Sequence, residues 1–146
     1  MARTVIVIDG MGGGIGAQII ARLRKDGLSG ASILALGTNA VAAQRMVDAG
    51  ADRGASGENA FRVTLPRADY VLGPLGVALP DAMMGEVTPE MARAVMSSPA
   101  RKLLLPLSQQ HVEIVGLAQR NVADLVSDAV AELVRLLVSE GASQEG

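Results

Sequence analysis

The amino-acid sequence predicts an α/β domain, a three-layer sandwich in which a mostly parallel sheet of five or six strands carries helices on both faces. Two observations predict this class. Short β-branched runs such as residues 4–8 have no alternating polar positions, which is typical of strands buried on both faces of a parallel sheet. Strand-like and helix-like segments also alternate along most of the chain, and this order favours right-handed crossovers between parallel strands.

Length and composition point to one globular domain. The chain has 146 residues, of which 49% are hydrophobic and 19% charged, and its formal net charge is −2. A chain of this size buries roughly 68–70% of its unfolded surface, which is enough for one core and one site but not for two lobes. We therefore expect a single domain over residues 1–140 and a flexible tail at 141–146.

Composition also excludes several classes of function. The 13 basic residues are scattered, and one Phe, one Tyr and no Trp leave no stacking platform, so nucleic-acid binding is not expected. The chain has no Cys and one His, which excludes thiolate and all-histidine metal sites, and no bound metal is expected. No apolar run is long enough for a membrane span or a signal-peptide core, which predicts a cytoplasmic protein without membrane contact.

The first segment predicts a strand, a glycine loop and a helix. Residues 4–8 form the strand, and a dense run of glycines follows as far as Gly16. Apolar residues then recur at helical spacing up to a helix end near Gly27. Asp9 directly follows the strand, where we expect its carboxylate to accept hydrogen bonds from nearby backbone N–H groups in an Asx turn.

A second strand and helix follow at 32–36 and 40–49, with Asn39 as the candidate N-cap of the helix. Beyond residue 66 the pattern predicts further elements of both kinds. These are a buried strand at 69–73, a helix capped by Thr88, a strand at 102–105, a half-exposed edge strand at 111–117, and a final helix from 121 to about 138.

Residues 51–66 allow two interpretations. Phe61, Val63 and Leu65 alternate like the residues of a strand. A short strand at 53–55 followed by a helix from Glu58 fits the alternation of strands and helices better. We favour the second interpretation.

The glycine loop is the strongest candidate for a binding site. Backbone without side chains lets phosphate oxygens approach N–H groups, and the N-terminus of the following helix adds a partial positive charge. The alternative is a tight strand-to-helix crossover that packs closely and binds nothing. The candidate ligand-binding residues of the loop are Gly10, Met11, Gly12, Gly13, Gly14, Ile15 and Gly16.

This loop resembles the coenzyme fingerprint of short-chain dehydrogenases, in the register G-x-x-x-G-I-G. The residues that carry the resemblance are Gly10, Gly14, Ile15 and Gly16. The resemblance covers about residues 4–50 and implies a Rossmann-like fold with an NAD(P)-type coenzyme. It stops at the catalytic residues, because that family uses a Tyr with a Lys four residues later, whereas Tyr70 has Pro74 at that spacing. No catalytic residue is predicted.

The end of the second strand supplies two more candidates. Dinucleotide sites usually carry an acidic residue there for the ribose 2′-hydroxyl, but this chain has Thr38 and Asn39 and no carboxylate. Both side chains are candidates to bind a ribose hydroxyl or a 2′-phosphate, and the absence of an acid removes repulsion against NADP. For Asn39, a role as helix cap alone is the alternative.

Two further loops are expected at the same edge of the sheet, since ligands of open α/β sheets bind outside the carboxyl ends of the strands. They add Glu58, Asn59 and Gly73 as candidates, with Glu58 and Asn59 suited to orient a base, a ribose or a metal-bound water. For Glu58 and Asn59 the alternative is that they simply begin a helix, where the dipole favours a carboxylate.

The segment 73–86 is too long for a simple connection. Its acidic residues Asp81 and Glu86 flank two consecutive methionines and predict a mobile lid. Alternatively the methionines fill an irregular gap or a subunit contact. His111, the one histidine, is expected to be a surface residue.

Taken whole, the chain resembles a family of small bacterial and archaeal proteins known only as a domain of unknown function. The segments that carry this resemblance are 8–16, 35–40, 54–60 and 73–76. It spans nearly the full length and implies the fold more than an activity.

We expect a protein that binds NAD(P) or another nucleotide, as a coenzyme-binding subunit or small oxidoreductase. The alternatives are a non-catalytic oligomeric module that senses a nucleotide or phosphate metabolite, and a structural oligomer with an empty glycine crossover. A homo-oligomer is expected because the final helix has an apolar stripe broad enough to cover the core and a partner.

Overall fold

The computed structural model describes residues 2–26, 28, 31–107, 109 and 111–145. The described strands are β1 (Arg3–Asp9), β2 (Ala31–Gly37), β3 (Arg53–Ser56), β4 (Tyr70–Pro74) and β5 (Arg101–Leu105). The described α-helices are α1 (Gly14–Lys25), α2 (Ala40–Asp48), α3 (Glu58–Thr64), α4 (Pro89–Ser97) and α5 (Val122–Glu145). Two short 3-10 turns lie at Leu65–Arg67 and Leu75–Ala78.

The five strands form one parallel sheet in the order β3-β2-β1-β4-β5. The chain winds outward from β1 to β3 and then crosses back to β4, so the winding reverses between β1 and β4. In open sheets of this kind the crevice for a ligand lies outside the carboxyl ends of the strands at this reversal. The predicted α/β three-layer fold is confirmed, with five parallel strands.

The two faces of β1 enter two separate hydrophobic cores, because successive side chains of a strand point to opposite faces. Val5 and Val7 pack in the core that α1, α2 and α5 cover. Ile6 and Ile8 pack in the core that α3 and α4 cover. All four side chains are fully buried, which explains the unbroken apolar run that predicted this strand.

Residues 53–64 adopt the favoured arrangement, a strand followed by a helix. Phe61 and Leu65 are fully buried, whereas Val63 between them is 47% exposed. A spacing of four residues between the buried positions is the helical period, so the alternation that resembled a strand is a coincidence of three apolar residues.

The edge strand predicted at 111–117 is wrong. Among the described residues this region has no strand, and its one ladder contact is an isolated antiparallel bridge between Gln109 and Val112. His111 has a φ of 63° and Gly116 a φ of 90°, and backbone in this region of φ interrupts an extended strand. Ser108 and Gln110 lie outside the described residues. The side chain of His111 is exposed, as expected.

The final helix is longer than predicted, since α5 continues to Glu145 rather than ending near Val138. The residues assigned to a tail therefore continue the helix from Gly141 to Glu145. A single interior glycine costs a helix only about 1 kcal/mol and does not end it. The hydroxyl of Tyr70 donates to Glu140, which ties this last part of α5 to the sheet.

No helix in the described part of the chain combines the length and apolar character that crossing a membrane requires. The first helix ends at Lys25 with Asp26 as its C-cap, and the predicted stop at Gly27 lies outside the described residues.

Candidate functional site

The carboxylate of Asp9 joins the two ends of the glycine turn. Its Oδ1 accepts from the N–H of Gly10 at 2.8 Å, and its Oδ2 accepts from the N–H of Gly16, in the first turn of α1, at 2.7 Å. Asp9 caps the glycine turn as predicted, but through the N–H groups one and seven residues on, and not through the N–H two residues on that defines an Asx turn. Burial raises the pKa of Asp9, while the N–H groups and the nearby guanidinium of Arg45 oppose that rise.

Three glycines of the turn are required by the protein's own packing. A Cβ on Gly13 would lie 2.8 Å from Cα of Ala42, and the φ of Gly13 is 75°, where side chains are strained. A Cβ on Gly16 would overlap the sulfur of Met46, and one on Gly10 would overlap Thr38. The overlap at Gly13 is with backbone, so the alternative of a tightly packed crossover explains this glycine most directly, whereas at Gly16 and Gly10 the nearest atoms belong to side chains.

Gly12 and Gly14 have no such requirement. The nearest atoms to a Cβ there belong to the exposed guanidinium of Arg45, at 3.8 Å from Gly12 and 3.4 Å from Gly14. Neither glycine has a positive φ. A Cβ at Gly12 or Gly14 would therefore meet the flexible side chain of Arg45 at ordinary van der Waals distance, and the guanidinium lies directly beside this part of the turn.

Arg45 is a site residue that sequence analysis missed. It lies on α2, and its Nη1 donates to the carbonyl oxygen of Gly12 at 3.3 Å. Helical spacing places Arg45 on the outer face of α2, but only the packing of α2 beside α1 shows that this face borders the glycine turn. A guanidinium can bind a phosphate through two parallel hydrogen bonds.

The carboxylate of Glu86 lies at the end of β2. Its Oε1 accepts from the hydroxyl of Thr38 at 2.7 Å, from the amide of Asn39 at 2.7 Å and from the N–H of Met11 at 2.9 Å. Burial alone would raise the pKa of Glu86, but these three hydrogen bonds outweigh it and hold the pKa below its ordinary value.

Asn39 has two roles in the structure. Its Oδ1 accepts from the N–H of Ala42 at 2.8 Å, which confirms the predicted N-cap of α2. Its Nδ2 donates to the carbonyl oxygen of Met11 as well as to Glu86. Thr38 and Asn39 therefore lie at the glycine turn as predicted, and both contact Glu86.

The segment that carries Glu86 covers the glycine turn. The N–H of Asp81 donates to the carbonyl oxygen of Val87 at 2.7 Å, which closes residues 81–87 into a compact loop. Met83 is half-buried, and its sulfur would contact a Cβ on Gly10. Met84 is 92% exposed. Of the two methionines, Met83 fills the gap above the turn and Met84 faces solvent.

The other predicted candidates lie elsewhere or serve packing. Glu58 and Asn59 begin α3 and line a groove of about 510 Å³ between α3 and α4, together with Arg62 and Arg93. Asn59 accepts from the guanidinium of Arg62. A Cβ on Gly73 would overlap the carbonyl oxygen of Ile8, so this glycine allows β4 to approach β1.

A larger cleft of about 990 Å³ opens beside Ile15, at the start of α1. Its wall comes from the 3-10 turn after β4, from the irregular segment after β5 and from the start of α5. The apolar residues of its lining include Ile15, Leu75, Leu107, Ile114, Leu117 and Val122. Of the predicted loop residues, Ile15 is the one that borders this cleft.

Tyr70 is remote from these groups. It is the first residue of β4, so it lies at the amino edge of the sheet, opposite the glycine turn. Its side chain is 2% exposed, and its hydroxyl donates to Glu140. Burial, followed by the hydrogen bond to Glu140, raises the pKa of Tyr70 to about 12. This geometry suits a structural tyrosine rather than an acid at the turn.

We predict that Gly13→Ala destabilises the protein by about 2–4 kcal/mol, because it adds left-handed strain and an overlap with the backbone of Ala42. Gly14→Ala should change the free energy of unfolding by less than about 0.5 kcal/mol, since a methyl group there meets only a flexible guanidinium. Urea unfolding of both variants measures this difference, and equal losses would contradict the distinction between the two glycines.

We also predict a pH effect of Glu86. Its lowered folded-state pKa means that its contribution to stability is present above the ordinary value of 4.5 and is lost as the pH falls through the lower folded value. Between about pH 5 and 3, the wild type should lose more unfolding free energy than Glu86→Gln, which keeps an acceptor but does not titrate. Parallel urea-derived stability profiles for the two proteins would refute this.

Two comparisons with known proteins bear on the family of the chain. No curated protein matches the chain. A family model with the description "Domain of unknown function (DUF3842)" matches residues 4–138. This match includes the glycine turn, Arg45, Glu86 and all five strands except the first residue of β1. The chain therefore belongs to the DUF3842 family.

Proposed function

We propose that this protein binds a nucleotide, of the NAD(P) type or another, through a phosphate held at the glycine turn. The observation that carries the proposal is that a Cβ on Gly12 or Gly14 would clash with no backbone or core atom, and that its nearest neighbour would be the exposed guanidinium of Arg45. A side chain at either position would fill the volume through which a phosphate oxygen reaches the backbone.

The turn also offers backbone donors for a phosphate. The internal hydrogen bonds of the turn engage the N–H groups of its other residues, with Gly13 donating to Gly10 and the rest serving Asp9 or Glu86. Within the described part of the chain, the N–H groups of Gly12 and Gly14 make no such hydrogen bond. The N-terminus of α1, which has 12 residues, adds its partial positive charge, and Arg45 adds a full one.

The cleft beside Ile15 favours a dinucleotide over a mononucleotide. Its volume of about 990 Å³ is at the upper end of the range for small-molecule and cofactor sites. The cleft lies on the β4 and β5 side of the glycine turn, whereas Arg45 lies on its β2 side. A phosphate bound at the turn would therefore lie between the cleft and Arg45. The resemblance of the loop to the short-chain dehydrogenase fingerprint supports an NAD(P)-type ligand in the same orientation.

Thermal unfolding in the presence of NAD, NADP, AMP, ATP, GMP and FMN tests the proposal. A ligand at about 100 times its Kd should stabilise the fold by about 2.7 kcal/mol, which raises the Tm by several degrees for this size. Gly14→Val and Arg45→Gln should each abolish or strongly reduce the shift, because one fills the phosphate volume and the other removes the cation.

Arg62→Gln is the matched control, since Arg62 is also exposed but lies in the groove between α3 and α4. This variant should keep the full shift. If no nucleotide shifts the wild type, or if Gly14→Val retains the shift, the proposed site is wrong. A shift lost only in Arg62→Gln would move the site to the other groove.

A second candidate is a non-catalytic oligomeric module that senses a nucleotide or a phosphate metabolite. The position of Tyr70 favours it, because the one tyrosine of the chain is buried at the opposite edge of the sheet. Exposed apolar side chains at Val112, Val115 and Leu117 offer a surface for self-association. Light scattering at micromolar concentration should show an oligomer, and a monomer would remove this candidate.

A further inference from the structure

We infer that Glu86 selects the ribose of the bound nucleotide: its carboxylate accepts from the free hydroxyls of the sugar and excludes nucleotides that carry a 2′-phosphate. This inference rests on the proposed nucleotide site and deepens it. It reverses the sequence-based expectation that repulsion against NADP is absent.

The position of the Glu86 carboxylate supports a contact with the ribose. Dinucleotide sites place an acid at the end of the second strand, and this chain has none in its local sequence. The structure brings the carboxylate of Glu86 to that place from 48 residues along the chain, within 2.7 Å of the hydroxyl of Thr38. It is also 3.4 Å from the position of a Cβ on Gly10, at the start of the glycine turn.

The protein's own donors bind one of the two carboxylate oxygens of Glu86, Oε1. Met11, Thr38 and Asn39 all donate to Oε1, so these three contacts fix the orientation of the group. Within the described part of the chain, no hydrogen bond to Oε2 accompanies them. The side chain is half-buried rather than enclosed, which leaves Oε2 accessible to a ligand. A pre-oriented acceptor of this kind suits a ribose hydroxyl, which is a donor.

The negative charge of Glu86 also disfavours a ligand with a 2′-phosphate. The hydrogen bonds that hold Oε1 stabilise the ionised carboxylate, so Glu86 is an anion at neutral pH. A 2′-phosphate placed against it would bring two anions together in a partly desolvated site. The loss of one charged hydrogen bond alone, about 1.5–3 kcal/mol, corresponds to about 10- to 150-fold in affinity. We therefore expect NAD to bind at least about 10-fold more tightly than NADP.

Calorimetric titration of the wild type and Glu86→Gln with two matched ligand pairs tests this inference. The pairs are NAD with NADP, and adenosine 5′-monophosphate with adenosine 2′,5′-bisphosphate. The wild type should prefer the ligand with the free 2′-hydroxyl in both pairs. Glu86→Gln keeps an oxygen for the three donors but loses the charge, so the preference should fall by about 10-fold or more.

Glu90→Gln is the control, because Glu90 is an exposed acid in the first turn of α4 and should leave the preference unchanged. Equal binding of both ligands by the wild type would overturn the inference while the nucleotide site stands. A uniform gain in affinity for all ligands in Glu86→Gln would also overturn it, since Glu86 would then be an internal competitor. If none of the four ligands binds either protein, this inference is wrong, whereas a thermal shift with GMP or FMN would still support the proposed nucleotide site.

Discussion

The site depends on the paired hydrogen bonds from Gly10 and Gly16 to the buried carboxylate of Asp9. They fix the distance between the end of β1 and the first turn of α1, and they satisfy N–H groups that would otherwise lack partners at a helix N-terminus. Once the turn is closed in this way, Gly13 must pack against the backbone of Ala42. The glycine turn that leads into α1 and the first turn of α2 therefore pack directly against each other.

Local sequence was sufficient where local contacts decide the structure. The β-branched run of β1 and the Asn39 cap are local signals, and the structure contains both. The helix α3 was favoured by the alternation of strands and helices along the chain, whereas the local alternation of Phe61, Val63 and Leu65 indicated a strand. Prediction failed at 111–117, because alternation of apolar residues does not show that the backbone at His111 is left-handed. The extent of α5 was also missed, since Gly141 is a weak helix breaker.

The site was predicted only in part, for a related reason. The turn, Thr38 and Asn39 follow strands directly, and strand ends share one edge of the sheet. Arg45 and Glu86 reach the turn across 33 and 75 residues, and no local pattern reports such contacts. Glu58 and Asn59 also follow a strand, but α3 covers the opposite face of the sheet from α1 and α2 and turns them toward α4.

The closed loop at 81–87 brings a side chain from the second half of the domain to the glycine turn in the first half. In a mononucleotide-binding half built from consecutive βα units, the glycine turn for the phosphate and the acid for the ribose both come from within that half. Here the acidic group beside β2 is contributed by the second half of the domain, after the chain has crossed the sheet. A chimaera that transplanted only the first two βα units into another scaffold would carry the glycine turn and Arg45 but would leave Met11, Thr38 and Asn39 solvated and without their acidic partner.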